Sequence, residues 1–449
     1  LKTVSTPVVT VSYRSGSLII KGESPPIRFA KWDKHFQGYV CDAIYHERLI
    51  ELLTSSGVSV KDESKNFLET KPFRANLELR DYQTSAYQNW LEAGKKGVLV
   101  LPTGAGKTAV AVHAISELGV SALITVPTID LLGQWTRILE NAGAAVSVLG
   151  GGLKEVGGLT VSTYDSAAIG CSELGNRFEL LVFDEVHHLP ATAYSMIARN
   201  SLAHFRMGLT ATYEREDGLH SILPFLVGPV VYSTTHSELS GRYLSEYQTE
   251  VIQVSLNKQE KANYDEFIGK YRSILKKYRF RIRGPKDFQR LIILSGSNRE
   301  IRDALLARAE AQKMAYNSVS KSEVLRGLLE RFRGEKIIVF TQFNELVDRI
   351  SREFLIPSIT HSTPKDEREQ VLRRFREGVY SCIVTSKVLD EGVDVPDASV
   401  GIILSGTGSK REYIQRLGRI LRKRDGKVAK LVEVVSANTI EMRTSYRRK

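Results

Sequence analysis

Apolar positions along this 449-residue chain fall into two regimes. From Leu77 onward, short continuous apolar runs alternate with amphipathic stretches, the pattern of parallel strands covered on both faces by helices. Runs at residues 98–101, 122–126, 146–149, 159–162 and 180–183 predict one doubly wound sheet, with its ligand at the C-terminal ends of the strands. Runs at 336–340, 381–385 and 400–404 predict a second α/β domain from near Asn298, including a helix with Thr363 as N-cap and Pro364 as first helical residue. Residues 1–72 read differently. Short β-like runs at 8–13 and 17–20 lead to a helix near residues 45–53, predicting a small separate α+β domain. The polar cluster Lys61, Asp62, Glu63, Ser64, Lys65 and Asn66 is expected to be its linker. Within this domain Trp32, Tyr39, Lys31 and Lys34 are expected to be ordinary core and surface rather than a grip on nucleic acid.

Between the two α/β patterns, residues 244–300 change rhythm. Tyr264, Phe267, Tyr271, Ile274, Leu275 and Tyr278 recur at helical spacing, a stripe that reads as core. Lys270, Arg272, Lys276, Lys277 and Arg279 occupy the other faces, and basic and apolar residues alternate from Arg279 to Arg283. Phosphate contact is the reading favoured for these cations. The domain limits expected are therefore 1–72, 73–243, 244–300 and 301–449.

Charge sharpens the choice of partner. A formal net charge of +12 points to a polyanion, and nucleic acid is favoured over an anionic membrane because no basic amphipathic anchor stands out. Cys41, Cys171 and Cys382 lie far apart without metal-ligand spacing, so neither a zinc site nor a disulfide framework is expected. No apolar run reaches membrane length and the first residues lack a secretory apolar segment, which predicts a soluble, intracellular protein.

Candidate chemistry begins at Leu101-Pro102-Thr103-Gly104-Ala105-Gly106-Lys107-Thr108, between a predicted strand and a predicted helix. Glycines there let successive backbone N–H groups turn toward a polyphosphate, and the helix adds its positive N-terminal end. Lys107 is placed to reach the β- and γ-phosphates of ATP, with the Thr108 hydroxyl as a Mg²⁺ ligand. The general phosphate-loop pattern has glycine where Leu101 stands, so its second half alone is met. Asp184-Glu185-Val186-His187-His188 follows the apolar run at 180–183. An acidic pair at a strand end suits nucleotide hydrolysis, with Asp184 holding the metal and Glu185 orienting the attacking water. Adjacent histidines cannot share a helix face as a zinc pair would, so His187 is assigned to coupling. Near the C-terminus, Gln415-Arg416-Leu417-Gly418-Arg419-Ile420-Leu421-Arg422 places Arg419 and Arg422 one helical turn apart. Such guanidinium groups stabilise charge on a transferred phosphoryl or contact nucleic acid; the second domain has no phosphate loop of its own, which favours the first role.

These segments, with Leu79-Arg80-Asp81-Tyr82-Gln83, Thr210-Ala211-Thr212 and Asp390-Glu391-Gly392-Val393-Asp394, occur in an order that resembles superfamily 2 helicases over residues 77–435. Tyr213-Glu214-Arg215-Glu216-Asp217 after the Thr-Ala-Thr segment, the basic insertion and the small N-terminal domain are similar to the XPB helicase family in its compact archaeal form. The resemblance implies two RecA-like doubly wound parallel-sheet motor domains, a small N-terminal α+β domain akin to a mismatch-recognition module, and a helical basic thumb-like insertion at 244–300. It also tolerates the leucine at position 101. It implies nucleotide binding by Arg80, Gln83, Thr103, Gly104, Ala105, Gly106, Lys107, Thr108 and Asp394, with Gln83 on the adenine. Coupling falls to His187, Thr210, Thr212 and Gln415, strand separation to Arg215, Glu216 and Asp217, and the arginine fingers to Arg419 and Arg422. The implied activity is an ATP- and Mg²⁺-dependent DNA helicase or translocase of 3′ to 5′ polarity, acting on double- and single-stranded DNA in nucleotide excision repair or transcription initiation. A nuclease or a repair or transcription complex is the implied partner, and the location is cytoplasmic in archaea or nuclear in eukaryotes. Two other readings fit the residues: a duplex translocase or restriction-type motor that moves without separating strands, and a damage-binding module whose ATPase only switches conformation.

Overall fold

The computed structural model describes residues 8–215, 217–244, 246–386, 398–405 and 428–442, and the chain divides into two compact units, Leu1–Thr235 and His236–Lys449. The first unit opens with a five-stranded sheet of β1 (Val8–Arg14), β2 (Ser17–Lys21), β3 (Lys31–Asp33), β4 (Gly38–Asp42) and β5 (Ser59–Glu63), in the order β3-β4-β2-β1-β5. The helix His46–Ser55 covers it, with Leu49 and Leu53 packed among Val9, Val11, Leu18 and Ile20. The expected linker at 61–66 is corrected by β5, which pairs parallel to β1. As an edge strand it is exposed at four of its five residues and half-buries Val60, so its hydropathy looks like that of a loop.

This module is also tied to the motor region of the same unit. Leu202 of the motor region lies in its core, and the Tyr13 hydroxyl bonds to the Ser172 and Asn200 carbonyls at 2.9 and 3.0 Å. Asn66 and Leu68 donate their N–H groups to the carbonyls of Asn176 and Arg177. A Cβ on Gly175 would lie 1.8 Å from the Asn200 carbonyl oxygen and 2.2 Å from the Tyr13 hydroxyl, so only glycine permits this approach.

The motor sheet of this unit has, among the described residues, β6 (Lys96–Val100), β7 (Ala122–Val126), β8 (Ser147–Gly150), β9 (Leu153–Lys154), β10 (Leu159–Thr163), β11 (Leu180–Asp184), β12 (Phe205–Thr210) and β13 (Val230–Ser233). Their order is β13-β6-β12-β11-β7-β10-β8-β9, parallel throughout except for the β8-β9 pair. β12 therefore lies between β6 and β11, and the three strands end at Val100, Thr210 and Asp184. The hydrophobic pattern does not announce β12, because Arg206 is in it. That arginine is buried and donates to the carbonyls of Ala203, Leu226 and Ser201 at 3.1, 2.6 and 3.0 Å, while burial lowers its pKa to about 10.

In the second unit β14 (Tyr247–Val254), β15 (Ile337–Phe340), β16 (Ser358–Ile359), β17 (Cys382–Thr385), β18 (Val400–Ile403) and β19 (Ala429–Ser436) form a parallel sheet in the order β14-β19-β18-β15-β17-β16. β14 falls inside the stretch 244–300, and the helix Arg299–Tyr316 runs through its expected end. Tyr264, Ile268 and Tyr271 of the helix Lys258–Lys277 pack against Ala304, Ala311 and Ala315 of Arg299–Tyr316, so large rings fill a groove of small residues. The cations Lys270, Arg272, Lys276, Arg279, Arg281 and Arg283 are exposed. The helix Lys365–Arg376 has Pro364 itself as its N-cap, at ψ 148°, which corrects the expected cap by one residue. Thr363 instead accepts the Thr360 N–H at 2.9 Å.

Lys321 is fully buried in this unit, with its ammonium 2.7 Å from both carboxylate oxygens of buried Glu441 and bonded to the Leu404 carbonyl. Lys321→Ala strands that carboxylate in the core and is expected to destabilise the second unit by about 3–5 kcal/mol, measured by denaturant unfolding. Lys321→Met with Glu441→Leu is expected to recover most of the loss, since it removes both charges.

Candidate active site

Leu101 leaves β6 with its N–H bonded to the Thr210 carbonyl at 2.9 Å, which ties the loop to the neighbouring strand. Gly104 and Gly106 then take φ of +85° and +72°, and the helix Lys107–Leu118 begins directly after Gly106. Thus Lys107 and Thr108 are the first two helical residues, where backbone N–H groups lack intrahelical acceptors. The loop is a cradle that side chains would fill: a Cβ on Gly106 would lie 2.6 Å from the Gln83 amide nitrogen. Lys107 is largely buried. Its ammonium donates to the Leu101 carbonyl at 3.4 Å and lies 3.9 Å from Glu185 Oε1.

Gln83 is held against the underside of this loop. Its amide oxygen accepts the Arg80 N–H at 2.9 Å, closing the N-terminus of the helix Asp81–Glu92, and its amide nitrogen donates to the Ala105 carbonyl at 2.9 Å. The Tyr82 hydroxyl bonds to the same carbonyl at 2.7 Å. Gln83 therefore braces the phosphate loop with both ends of its amide. The Thr103 hydroxyl is buried in the loop without a hydrogen-bond partner among the described residues.

Asp184 ends β11 and is buried. One carboxylate oxygen accepts from the Trp135 indole N–H at 2.8 Å, the other from the Glu185 N–H at 3.0 Å, and its carbonyl accepts from the Tyr164 hydroxyl at 3.0 Å. Burial and then the neighbouring Glu185 charge push its pKa up to about 6. Glu185 itself takes the left-handed conformation, φ 47° and ψ 56°, a strain that persists only where its surroundings fix it. Trp135, on the helix Ile129–Asn141, carries no sequence signal beyond an amphipathic period, and no motif points to it. Trp135→Phe removes a donor to the ionised carboxylate and raises the Asp184 pKa further. The acidic limb of kcat/KM for ATP turnover is then expected to move up by about a unit, read from rates between about pH 5 and 8.

From Glu185 a chain of contacts leads away from the loop. Fully buried His187 has Nδ1 3.1 Å from the Thr210 hydroxyl and 3.4 Å from Glu185 Oε2. The single Thr210 hydroxyl proton goes to the Thr212 carbonyl at 2.8 Å, and that hydroxyl accepts the Thr212 N–H at 3.1 Å, so the proton between His187 and Thr210 belongs to His187 Nδ1. The His187 carbonyl accepts in turn from Arg215 Nη1. Arg215 pairs with Asp217 at 3.0 and 2.6 Å, which holds the Asp217 carboxyl down at about 2. The structure thus gathers Arg80, Gln83, Lys107, Asp184, Glu185, His187, Thr210, Thr212, Arg215 and Asp217 at the ends of β6, β12 and β11. Glu216, Asp394, Gln415, Arg419 and Arg422 lie outside the described residues.

Among the described residues no group of three or more His, Cys, Asp or Glu gathers to hold a metal. A buried carboxylate with a raised pKa beside a helix-start hydroxyl is nonetheless a donor set that suits Mg²⁺, which takes one or two protein oxygens and completes its shell with water and phosphate. No described helix is long and apolar enough to cross a membrane.

Comparison with known proteins bears on each segment. Residues 11–63 match the family described as the Xeroderma pigmentosum group B helicase damage recognition domain, 76–215 the Type III restriction enzyme res subunit, and 320–424 the helicase conserved C-terminal domain. The chain is 44% identical over 446 residues to the DNA 3′-5′ translocase XPB2 of Sulfurisphaera tokodaii, covering 98% of this chain and all of that protein. It is 29% identical over 379 residues to the DNA 3′-5′ helicase XPB of Mycobacterium tuberculosis, covering 81% of this chain and 62% of that protein. Similarity extends to the XPB/SSL2 helicase/translocase subunit of general transcription and DNA repair factor IIH from Saccharomyces cerevisiae, at 28% identity over 85% of this chain and 44% of that one. Among solved structures, the Hef helicase domain of Pyrococcus furiosus shares the fold at 20% identity with a TM-score of 0.55, covering 84% of this chain and all of that one.

Proposed function

We propose that this chain, which belongs to the XPB family of superfamily 2 helicases, is an ATP-dependent DNA motor that moves 3′ to 5′ and couples each hydrolysis event to opening of the duplex, in nucleotide excision repair or transcription initiation. The observation that carries this reading is the unbroken path Glu185, His187, Arg215, Asp217, because it joins the hydrolytic carboxylate to the element assigned to strand separation. Lys107 and the N–H groups at the start of its helix hold the terminal phosphates, and Glu185 orients the attacking water. Asp184 and Thr108 would hold Mg²⁺, which when bound neutralises charge on the β- and γ-phosphate oxygens. His187 reports the state of Glu185 to Thr210 and, through its carbonyl, to Arg215. Arg419 and Arg422 are proposed to supply the cations that stabilise the transferred phosphoryl, and Asp394 and Gln83 to bind the nucleoside side. Double- and single-stranded DNA are the proposed substrates, and a nuclease or a repair or transcription complex the proposed partner.

The test is strand displacement on tailed DNA and RNA duplexes of both polarities. Wild type is expected to displace the strand from a 3′-tailed DNA duplex, and Arg215→Ala to lose displacement by a larger factor than it loses ATP turnover. Equal losses in both would remove Arg215 from strand separation. The name translocase borne by the Sulfurisphaera relative favours a second reading, motion along duplex DNA without separating it. That reading predicts displacement of a triplex-forming third strand with no displacement from a tailed duplex. A damage-binding switch would instead show ATP turnover that does not rise with DNA length.

A further inference from the structure

We infer that Trp32 is a base-stacking residue, presented on the rim of the N-terminal sheet to receive an unpaired base of DNA; this rests on the reading of the chain as a DNA motor. The expectation that Trp32 is ordinary core or surface meets a ring that is 58% exposed on β3, the edge strand of the five-stranded sheet. The chain has three tryptophans, and the other two are 0% and 1% exposed with their indole N–H groups bonded to the Arg206 carbonyl and to Asp184. Trp32 alone keeps its ring in solvent.

It is also held in place. Its register partner on β4, Tyr39, meets the indole edge-on at a centroid distance of 5.3 Å and an interplanar angle of 80°. The turn that joins the two strands is fixed by Asp33, whose Oδ1 accepts the N–H groups of His35 and Phe36 at 2.8 and 3.3 Å. The carboxylate nearest in sequence is therefore engaged with backbone donors. A large ring whose position is already set loses little freedom when something stacks on it.

Charge selects what stacks there. Lys31 and Lys34 flank the ring in sequence and are exposed, and exposed Arg14 lies over Phe36 of the same hairpin at 5.4 Å. Cations beside an exposed aromatic surface suit a base carried between two phosphates, the chemistry by which single strands are held without reading their sequence. A fully paired duplex presents the edges of its bases and keeps their faces stacked. The occupant is therefore a base already unpaired or unstacked, as in a single strand, a bubble or a mismatch.

Because Trp32 is the exposed fluorophore of the three, the full-length protein reports on this site directly. Oligothymidylate and a bubble duplex are expected to quench the exposed tryptophan emission and shield it from acrylamide, and a blunt paired duplex to do so far less. Trp32→Phe should abolish that quench, and Trp32→Ala should weaken oligothymidylate binding roughly tenfold, as loss of one stacked base does. Lys31→Ala with Lys34→Ala should lower the slope of log affinity against log salt by roughly one. If a labelled oligonucleotide binds by anisotropy while emission and acrylamide access stay unchanged, the stacking role is overturned and the DNA-motor reading stands; the surface would then serve a protein partner. Unaltered affinity in Trp32→Ala overturns it equally. Failure of every DNA to bind would sink the motor reading itself.

Discussion

Lys107→Ala is expected to cut DNA-stimulated ATP turnover by about a hundredfold to a thousandfold while leaving the melting temperature nearly unchanged. The ammonium occupies the mouth of the loop, within reach of the Leu101 carbonyl at 3.4 Å and of Glu185 at 3.9 Å. It is the one cation among the predicted site residues of the first unit that begins the loop's own helix, where the backbone already favours anions. Removing it takes away charge aimed at the transferred phosphoryl, and the remaining N–H groups bind nucleotide without that stabilisation. The fold loses little, because the long bond to the neutral Leu101 carbonyl is the side chain's one hydrogen bond among the described residues and alanine is a strong helix former at this position. Phosphate release with saturating DNA, melting by circular dichroism and oligonucleotide anisotropy separate these effects. Normal turnover in the variant would remove the loop from catalysis. Lost turnover together with a melting temperature lowered by many degrees would make Lys107 structural.

What made this site legible from sequence was local chemistry on regular elements. The glycines, Lys107 and Thr108 stand where a strand turns into a helix, and Asp184 and Glu185 stand at a strand end, so motif and fold report one another. Tertiary packing hid the rest. β5 is polar because it is an edge strand, and β12 is broken by an arginine whose buried guanidinium is satisfied by three carbonyls. Gln83 is legible as a motif residue, yet its observed bonds run to Arg80 and Ala105, and these depend on the loop it braces. Trp135 reaches Asp184 from a helix that precedes it by 49 residues in sequence, and periodicity alone reads it as core. Trp32 reads as core for the converse reason: hydropathy scores the residue type, and the edge position of β3 decides its exposure.

Asp184→Asn is expected to abolish turnover and at the same time to remove a pH-dependent instability from the protein. The Asp184 carboxyl ionises near its ordinary value of 3.8 when unfolded and near 6 in the folded chain, so the native state holds the proton more tightly. Below about pH 4 both states are protonated and the group contributes no difference. Between about pH 4 and 6 the unfolded state has lost its proton and the native state has not, so stability falls as pH rises. Above about pH 6 the native carboxylate is ionised in a buried site, and the accumulated penalty is roughly 3 kcal/mol, because each of the roughly two pH units between the two ionisations costs about 1.36 kcal/mol. Asparagine cannot ionise, so the variant should lack this slope. It also offers one acceptor where the carboxylate offers two, to Trp135 and to the Glu185 N–H, and loses about 1 kcal/mol or more at every pH. The signature is therefore the difference between the two proteins: variant minus wild type should grow by roughly 3 kcal/mol from about pH 4 to pH 7.5 in denaturant unfolding. Acid unfolding driven by other carboxylates is common to both and cancels. Adding Mg²⁺ with ADP should stabilise wild type and leave the variant nearly unmoved, because ligand that binds only the native state raises stability by mass action. Parallel pH profiles for the two proteins would show that Asp184 is not held above its ordinary range, and an equal response to Mg²⁺ with ADP would show that it is not the metal's carboxylate.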